Sequence, residues 1–195
     1  ADLAEKINGY RRLDMSPISV EEAIERAKKV KLVIIDVHGV MTDETVWYSE
    51  DGAIRLRPFS HRDGLGTYML DWGGIETAWL TRTSKTAQLR AKELRIKRYI
   101  ENPKKIEALE QLEKELGLTD EEIGYIGDDY IDLLVMNRVG FAAAPADAVE
   151  EVKEAAHYVT PVSSGKGVVR DVARFILKAQ GKWADIQQRV MEMGY

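Results

Sequence analysis

The feature that most constrains this chain is Leu32-Val33-Ile34-Ile35, an unbroken apolar run that ends abruptly in Asp36. A strand with one wetted face alternates apolar and polar residues, so an unbroken run reads as a strand covered on both faces of a parallel sheet. Shorter apolar runs recur at Thr77-Ala78-Trp79-Leu80, Arg98-Tyr99-Ile100, 123–127, 140–144 and Tyr158-Val159. Segments of helical period lie between them. The first has a Ser19/Glu22 capping-box pattern and the stripe Val20, Ala23, Ile24, Ala27. Others run from Asp63-Gly64 to Asp71, from Ser84 to Leu94, over 131–137 and over 148–156. A further helix opens at Asn102-Pro103, turns Ile106, Leu109, Leu112 and Leu116 inward and stops at Gly117, and a last one follows Ser163-Ser164-Gly165-Lys166-Gly167. Strands separated by helices of about ten residues need crossover connections, which predicts an α/β fold with a doubly wound, Rossmann-like parallel sheet.

Val46-Trp47-Tyr48 and Ala53-Ile54-Arg55-Leu56-Arg57 flank the turn Ser49-Glu50-Asp51-Gly52, which predicts a β-hairpin flap over about 44–59, after the first strand. Residues 1–16 are poorly periodic and read as an N-terminal arm, 17–183 as the domain, and 184–195 as a C-terminal tail. A length of 195 residues fits one domain. The absence of Cys excludes disulfides, thiol catalysis and Cys-ligated zinc, and suits a cytoplasmic protein. No apolar stretch approaches the ~20 residues that span a bilayer, and the first residues lack the order of a signal peptide, so no membrane partner is expected. A net charge of −5 argues against a nucleic-acid partner.

Parallel sheets of this kind hold ligands at the carboxyl ends of their strands. The loop after the first strand reads Asp36-Val37-His38-Gly39-Val40-Met41-Thr42-Asp43. A carboxylate at the tip of a buried strand needs a cation or hydrogen-bond donors, although Asp36 alone fits a helix cap equally well. Gly127-Asp128-Asp129-Tyr130-Ile131-Asp132 clusters three more carboxylates after another apolar strand. Their mutual repulsion calls for an offsetting metal, and an oxygen-only set favours a hard cation such as Mg²⁺. Thr81 ends another apolar run, Thr83-Ser84 opens a helix whose N–H groups suit phosphate, and Lys104-Lys105 opens the helix after Pro103. His61 reads as a surface residue, His157 as a helix end, and Trp47, Trp72, Trp79 and Trp183 as core or interface anchors.

The order Asp36, Thr81, Lys105, Gly127-Asp128-Asp129 resembles the haloacid dehalogenase superfamily of phosphatases. The flap leading to Arg62-Asp63-Gly64, Ala144-Pro145-Ala146-Asp147-Ala148 and Gly165-Lys166-Gly167 narrow the resemblance to its capless subgroup, the 3-deoxy-D-manno-octulosonate (KDO) 8-phosphate phosphatases. That resemblance implies attack by Asp36 on a small acidic sugar phosphate to give an aspartyl phosphate. It implies Thr81 and Lys105 holding the transferring group, and Arg62, Arg82 and Lys166 binding substrate. Mg²⁺ would be held by Asp36, the His38 backbone carbonyl and Asp128, with Asp129 and Asp132 in support. A homotetramer in which a neighbour's C-terminal tail closes the pocket is also implied.

Two positions depart from the family. His38 stands where it has a general acid/base Asp, and Thr81-Arg82-Thr83 replaces Thr-Gly-Arg. Two readings therefore stand side by side: an active phosphatase, and a catalytically impaired relative kept as an oligomeric or regulatory module.

Overall fold

Six of the apolar runs pair side by side in one parallel sheet. The structure is a computed structural model and describes residues 18–193, so the arm expected over 1–16 lies outside the described residues. In chain order come α1 (Val20–Lys28), β1 (Leu32–Asp36), β2 (Trp47–Tyr48), β3 (Arg55–Leu56), α2 (His61–Trp72) and β4 (Glu76–Thr81). Then follow α3 (Lys85–Glu93), β5 (Arg98–Glu101), α4 (Lys105–Leu116), β6 (Ile123–Ile126) and α5 (Leu133–Met136). The chain closes with β7 (Phe141–Ala144), α6 (Glu150–Ala155), β8 (Tyr158–Val159), α7 (Val168–Ala179) and α8 (Trp183–Glu192).

The sheet order is β5-β4-β1-β6-β7-β8, so the chain winds outward from β1 first one way and then the other. The unbroken apolar character of β1 follows from its two covered faces. Val33 and Ile35 enter a core with residues of α1, α2, α3, α7 and α8, whereas Leu32 and Ile34 enter a second core with α4, α5 and α6. The predicted doubly wound α/β sheet is therefore present, and the described residues include no separate cap domain.

Local chemistry moves some boundaries. The segment expected as one helix over 131–137 is a 3₁₀ turn, Tyr130–Asp132, followed by the single turn of α5, because Asp129 and Asp132 cap that turn reciprocally. The expected C-terminal helix is two helices, α7 and α8, parted where Gly181 adopts φ 70°. Residues expected as a tail thus continue as α8, which buries Ile186 in its own domain and sets the Arg189 guanidinium 4.8 Å from the Trp72 ring. The flap is a short antiparallel pair, β2 with β3, and leaves Trp47 62% and Tyr48 63% exposed.

Helix α2 is pinned to α7 by Asp63, a fully buried carboxylate that accepts from the N–H groups of Gly167 (3.0 Å) and Val169 (2.9 Å). Burial nevertheless raises its carboxyl to about 7. Beside it, Gly66 is the point of closest approach, and a Cβ there would run into the backbone of Val169 and Arg170. Ala ordinarily gains ~1 kcal/mol over Gly inside a helix. At Gly66 the overlap reverses the sign, and Gly66→Ala is expected to lower stability by about 1–3 kcal/mol. Urea unfolding checks this: a raised midpoint would show that α2 and α7 move apart without cost.

Candidate active site

The switch in strand order places the carboxyl ends of β4, β1 and β6 side by side, and each delivers a polar group there. Asp36 ends β1 and is 5% exposed. One of its oxygens accepts the Val37 N–H at 2.8 Å, and the other lies 2.9 Å from the Lys105 ammonium. Burial and then the charge of Asp132 raise its carboxyl to about 7 against the opposing pull of Lys105. Thr81, 2% exposed, closes β4, and Lys105 enters from the first turn of α4. Burial pulls the Lys105 ammonium down, but Asp36 and Asp132 more than offset it and hold its pKa above the ordinary value.

Asp132 is the hub of the cluster and is fully buried. Its Oδ1 accepts from Lys105 Nζ at 2.6 Å and from the Tyr125 hydroxyl, and its Oδ2 accepts the N–H groups of Asp128 (3.0 Å) and Asp129 (3.2 Å). A carboxylate offers about four lone-pair positions, and these four donors take them. Asp128 is the opposite case. Its Oδ1 is buried with no hydrogen-bond partner, and burial together with the charges of Asp36 and Asp132 raises its carboxyl to about 9.

Oxygens of Asp36, Asp128 and Asp132 lie within 4.8 Å of one another. An orphaned carboxylate oxygen beside a second carboxylate is what a hard divalent cation requires, so these residues fit Mg²⁺. Asp132, with its oxygens already taken, fits as the support that aims Asp128 rather than as a ligand. Asp129 bonds the Tyr130 N–H at 2.7 Å and lines the cavity beside Asp128.

His38 follows in the loop after β1, with Nδ1 3.2 Å from the Thr42 hydroxyl and Nε2 buried without a partner. Burial first, and then the charges of Arg57, Arg55 and Lys105, lower its pKa to about 4. Asp36, His38, Thr81, Arg82, Lys105 and Asp128 share one open cavity of about 560 Å³. The structure does not bring the other two expected substrate residues into it. Arg62 and Lys166 line a separate groove with Arg170 and Trp183.

Sequence reasoning missed Glu44, Arg57 and Ile131 in the cavity wall and Tyr125 in the Asp132 hub. Glu44, with φ 61°, and Arg57 stand at the two feet of the flap, and their charge is the signal that would have found them. His61 is exposed. His157 is not a helix end: it is buried against β7, where its Nδ1 accepts the Ala142 N–H at 2.7 Å.

A family model described as haloacid dehalogenase-like hydrolase matches residues 83–171. The KDO 8-phosphate phosphatase KdsC of Yersinia pestis is 39% identical over 164 residues, covering 83% of this chain and 87% of that protein. The crystal structure of KDO 8-phosphate phosphatase from Moraxella catarrhalis, in complex with magnesium, phosphate and KDO, matches with a TM-score of 0.83 at 34% identity. It covers 88% of this chain and 99% of that one. The cobalt-bound phosphatase of Haemophilus influenzae matches with a TM-score of 0.76 at 38% identity, over 82% of this chain and 94% of that one.

The Asp128 carboxyl yields a pH test in which proton and metal compete. Its folded pKa, about 9, lies above the ordinary value of 3.8, so its contribution to stability is full below 3.8 and is lost as pH rises through about 9. Metal-free protein should therefore melt at a lower temperature at pH 9 than at pH 7. The increment in melting temperature from a fixed Mg²⁺ concentration should be larger at pH 9, where a proton has to be displaced from only about half of the molecules. An increment that is flat over pH 7–9 would remove Asp128 from the ligand set.

Proposed function

This chain belongs to the haloacid dehalogenase-like phosphatases, and we propose on that premise that it is a Mg²⁺-dependent phosphatase of a small acidic sugar phosphate, KDO 8-phosphate above others. The observation that carries the reading is the convergence of Asp36, Thr81, Lys105 and Asp128 in one cavity at the ends of β1, β4 and β6. The Moraxella relative, with magnesium, phosphate and KDO together, supports the choice of metal and sugar.

In this reading an Asp36 oxygen attacks phosphorus, the bond to the sugar oxygen breaks, and the alkoxide leaves with a proton. Water then hydrolyses the aspartyl phosphate and regenerates the carboxylate. Lys105 holds Asp36 in position and, with the Thr81 hydroxyl and the N–H groups opening α3, takes the charge of the transferring group. Arg82 and Arg57, both in the cavity wall, supply cations for the acidic sugar. Mg²⁺, held by Asp36, Asp128 and the His38 backbone carbonyl with Asp129 in support, neutralises phosphoryl charge when bound. Arg62 and Lys166 line a neighbouring groove rather than this cavity. Trp47, Tyr48, Ile54 and Leu56, all more than half exposed, make the flap a contact surface between copies, with a homotetramer as the expected assembly. Light scattering that finds a stable 22.0 kDa particle would overturn that assembly. Lack of Cys keeps the cytoplasm as the proposed compartment.

One observation favours the impaired reading. A side chain with a pKa of about 4 is cationic in only ~10⁻³ of molecules at pH 7, so His38 offers a leaving alkoxide few protons. Phosphate release from a panel of sugar phosphates, with Mg²⁺ and with chelator, separates the readings. The active reading expects Mg²⁺-dependent release that Asp36→Asn abolishes without loss of fold. Absence of release from every ester would leave the impaired relative standing.

His38→Asp is expected to raise kcat/KM for sugar phosphates, since a positioned general acid is worth ~10²–10⁴-fold. The gain should be much smaller for p-nitrophenyl phosphate, whose leaving group needs no proton. Equal gains on both substrates would place His38 away from the proton transfer.

A further inference from the structure

We infer that Ser164, anchored by Asp147, is a positioning residue that fixes the Gly39 peptide against Asp128 and thereby sets the affinity of the site for its divalent cation. The inference rests on the metal-site reading above. Ser164 is 7% exposed and belongs to the loop between β8 and α7, remote in sequence from both carboxylates. Its hydroxyl faces two acceptors, the Gly39 carbonyl and Asp147 Oδ1 at 2.9 Å, and its N–H donates to the same Asp147 oxygen at 2.8 Å. The next residue repeats the link, with the Gly165 N–H donating to the Val40 carbonyl at 2.9 Å. The loop after β1 is thus held by two consecutive residues of another loop.

The far end of the latch reaches the other metal-bearing loop. Asp147 lies between Ala146, whose N–H donates to the Val162 carbonyl at 3.0 Å, and the residues leading to Val149, whose N–H donates to the Asp128 carbonyl at 3.1 Å. The segment 146–149 therefore grips Asp128 from behind while Asp147 grips Ser164. Between the two grips, the Gly39 backbone and the Asp128 carboxylate are packed so closely that a Cβ on Gly39 would run into that carboxylate. Gly39 is also the residue after His38, whose carbonyl the metal-site reading assigns as a ligand. A shift of the Gly39 peptide thus changes the spacing of Asp128 and that carbonyl together. None of these contacts is made by a residue that touches substrate, so the effect passes through geometry alone.

The test is isothermal titration of Mg²⁺ into wild type, Ser164→Ala, Asp147→Ala and Asp147→Asn, with metal-free melting temperatures and kcat and KM alongside. Removing a partner that orients a ligand typically weakens metal affinity by 10–100-fold. Ser164→Ala and Asp147→Ala should fall at about the low end of that range, with metal-free melting little changed and kcat at saturating Mg²⁺ restored. Asp147→Asn retains an acceptor oxygen for the Ser164 N–H, leaves the single hydroxyl proton for the Gly39 carbonyl, and should keep wild-type affinity, which excludes a loss through charge alone. Unchanged Mg²⁺ affinity in Ser164→Ala, while the wild type binds, overturns the inference and spares the phosphatase reading. A wild type that binds no Mg²⁺ overturns both.

Discussion

Three carboxylates crowd together at the ends of β1 and β6, and the site depends on how their repulsion is divided. Left to one another, each would drive its neighbours to hold protons at neutral pH. The molecule instead gives Asp132 four donors and gives Asp36 an ammonium and a backbone N–H, and it gives Asp128 Oδ1 nothing. The unmet demand is thereby concentrated on one carboxylate at the cavity wall, next to the group proposed as nucleophile. Lys105 makes this division work because it bridges Asp36 and Asp132. Its reach is fixed by packing: Ala108, Leu109 and Leu112 bury α4 against the sheet, so the first turn of that helix has one place to go.

An ammonium buried between two carboxylates is costly to disrupt from one side, since loss of either partner leaves an uncompensated charge. The hub is therefore both a structural and a functional commitment. Tyr125 shows the connection: it is a β6 core residue whose ring fills the second core and whose hydroxyl ends on Asp132. The cavity, by contrast, is open, and the residues at its mouth come from the two feet of an exposed hairpin. Rigidity at the floor and exposure at the rim fit a site that fixes phosphate closely and leaves the remainder of the substrate to whatever covers the flap.

Much of this was legible in the sequence, for physical reasons. The unbroken run before Asp36 required two covered faces, hence a parallel sheet, hence a polar group stranded at a strand end. Asp36, Thr81 and Asp128 were found because each closes or follows a strand, and the structure gathers them with Lys105. The sequence did not show what depends on the angle between elements. Arg62 and Lys166 carry the same charge as Arg82, yet they line another groove, with Arg170 and Trp183. His157 next to two alanines reads as a helix end until β7 supplies the Ala142 N–H that binds it. Glu44 and Arg57 were illegible because a short hairpin's feet meet only after the chain has folded back.

The substitution at position 38 gains its meaning from the same burial. Burial disfavours whichever form of a side chain is charged, so it moves acids and bases in opposite directions. Here it raises Asp36 to about 7 and Asp128 to about 9, and it lowers His38 to about 4. In water, imidazole titrates closer to neutrality than a carboxylic acid and looks the better proton donor. In this cavity the order is inverted. An aspartic acid at position 38 would be pushed upward, toward the range in which it holds a proton to give, whereas the histidine is held neutral with little acid to offer. The unpartnered Nε2 of His38 is free to accept a proton, but the same lowered pKa makes it a weak base. In the proposed reaction the shortage of protons at His38 weighs most on the step that expels the sugar alkoxide, so esters whose leaving group needs little protonation are the ones such a site would favour.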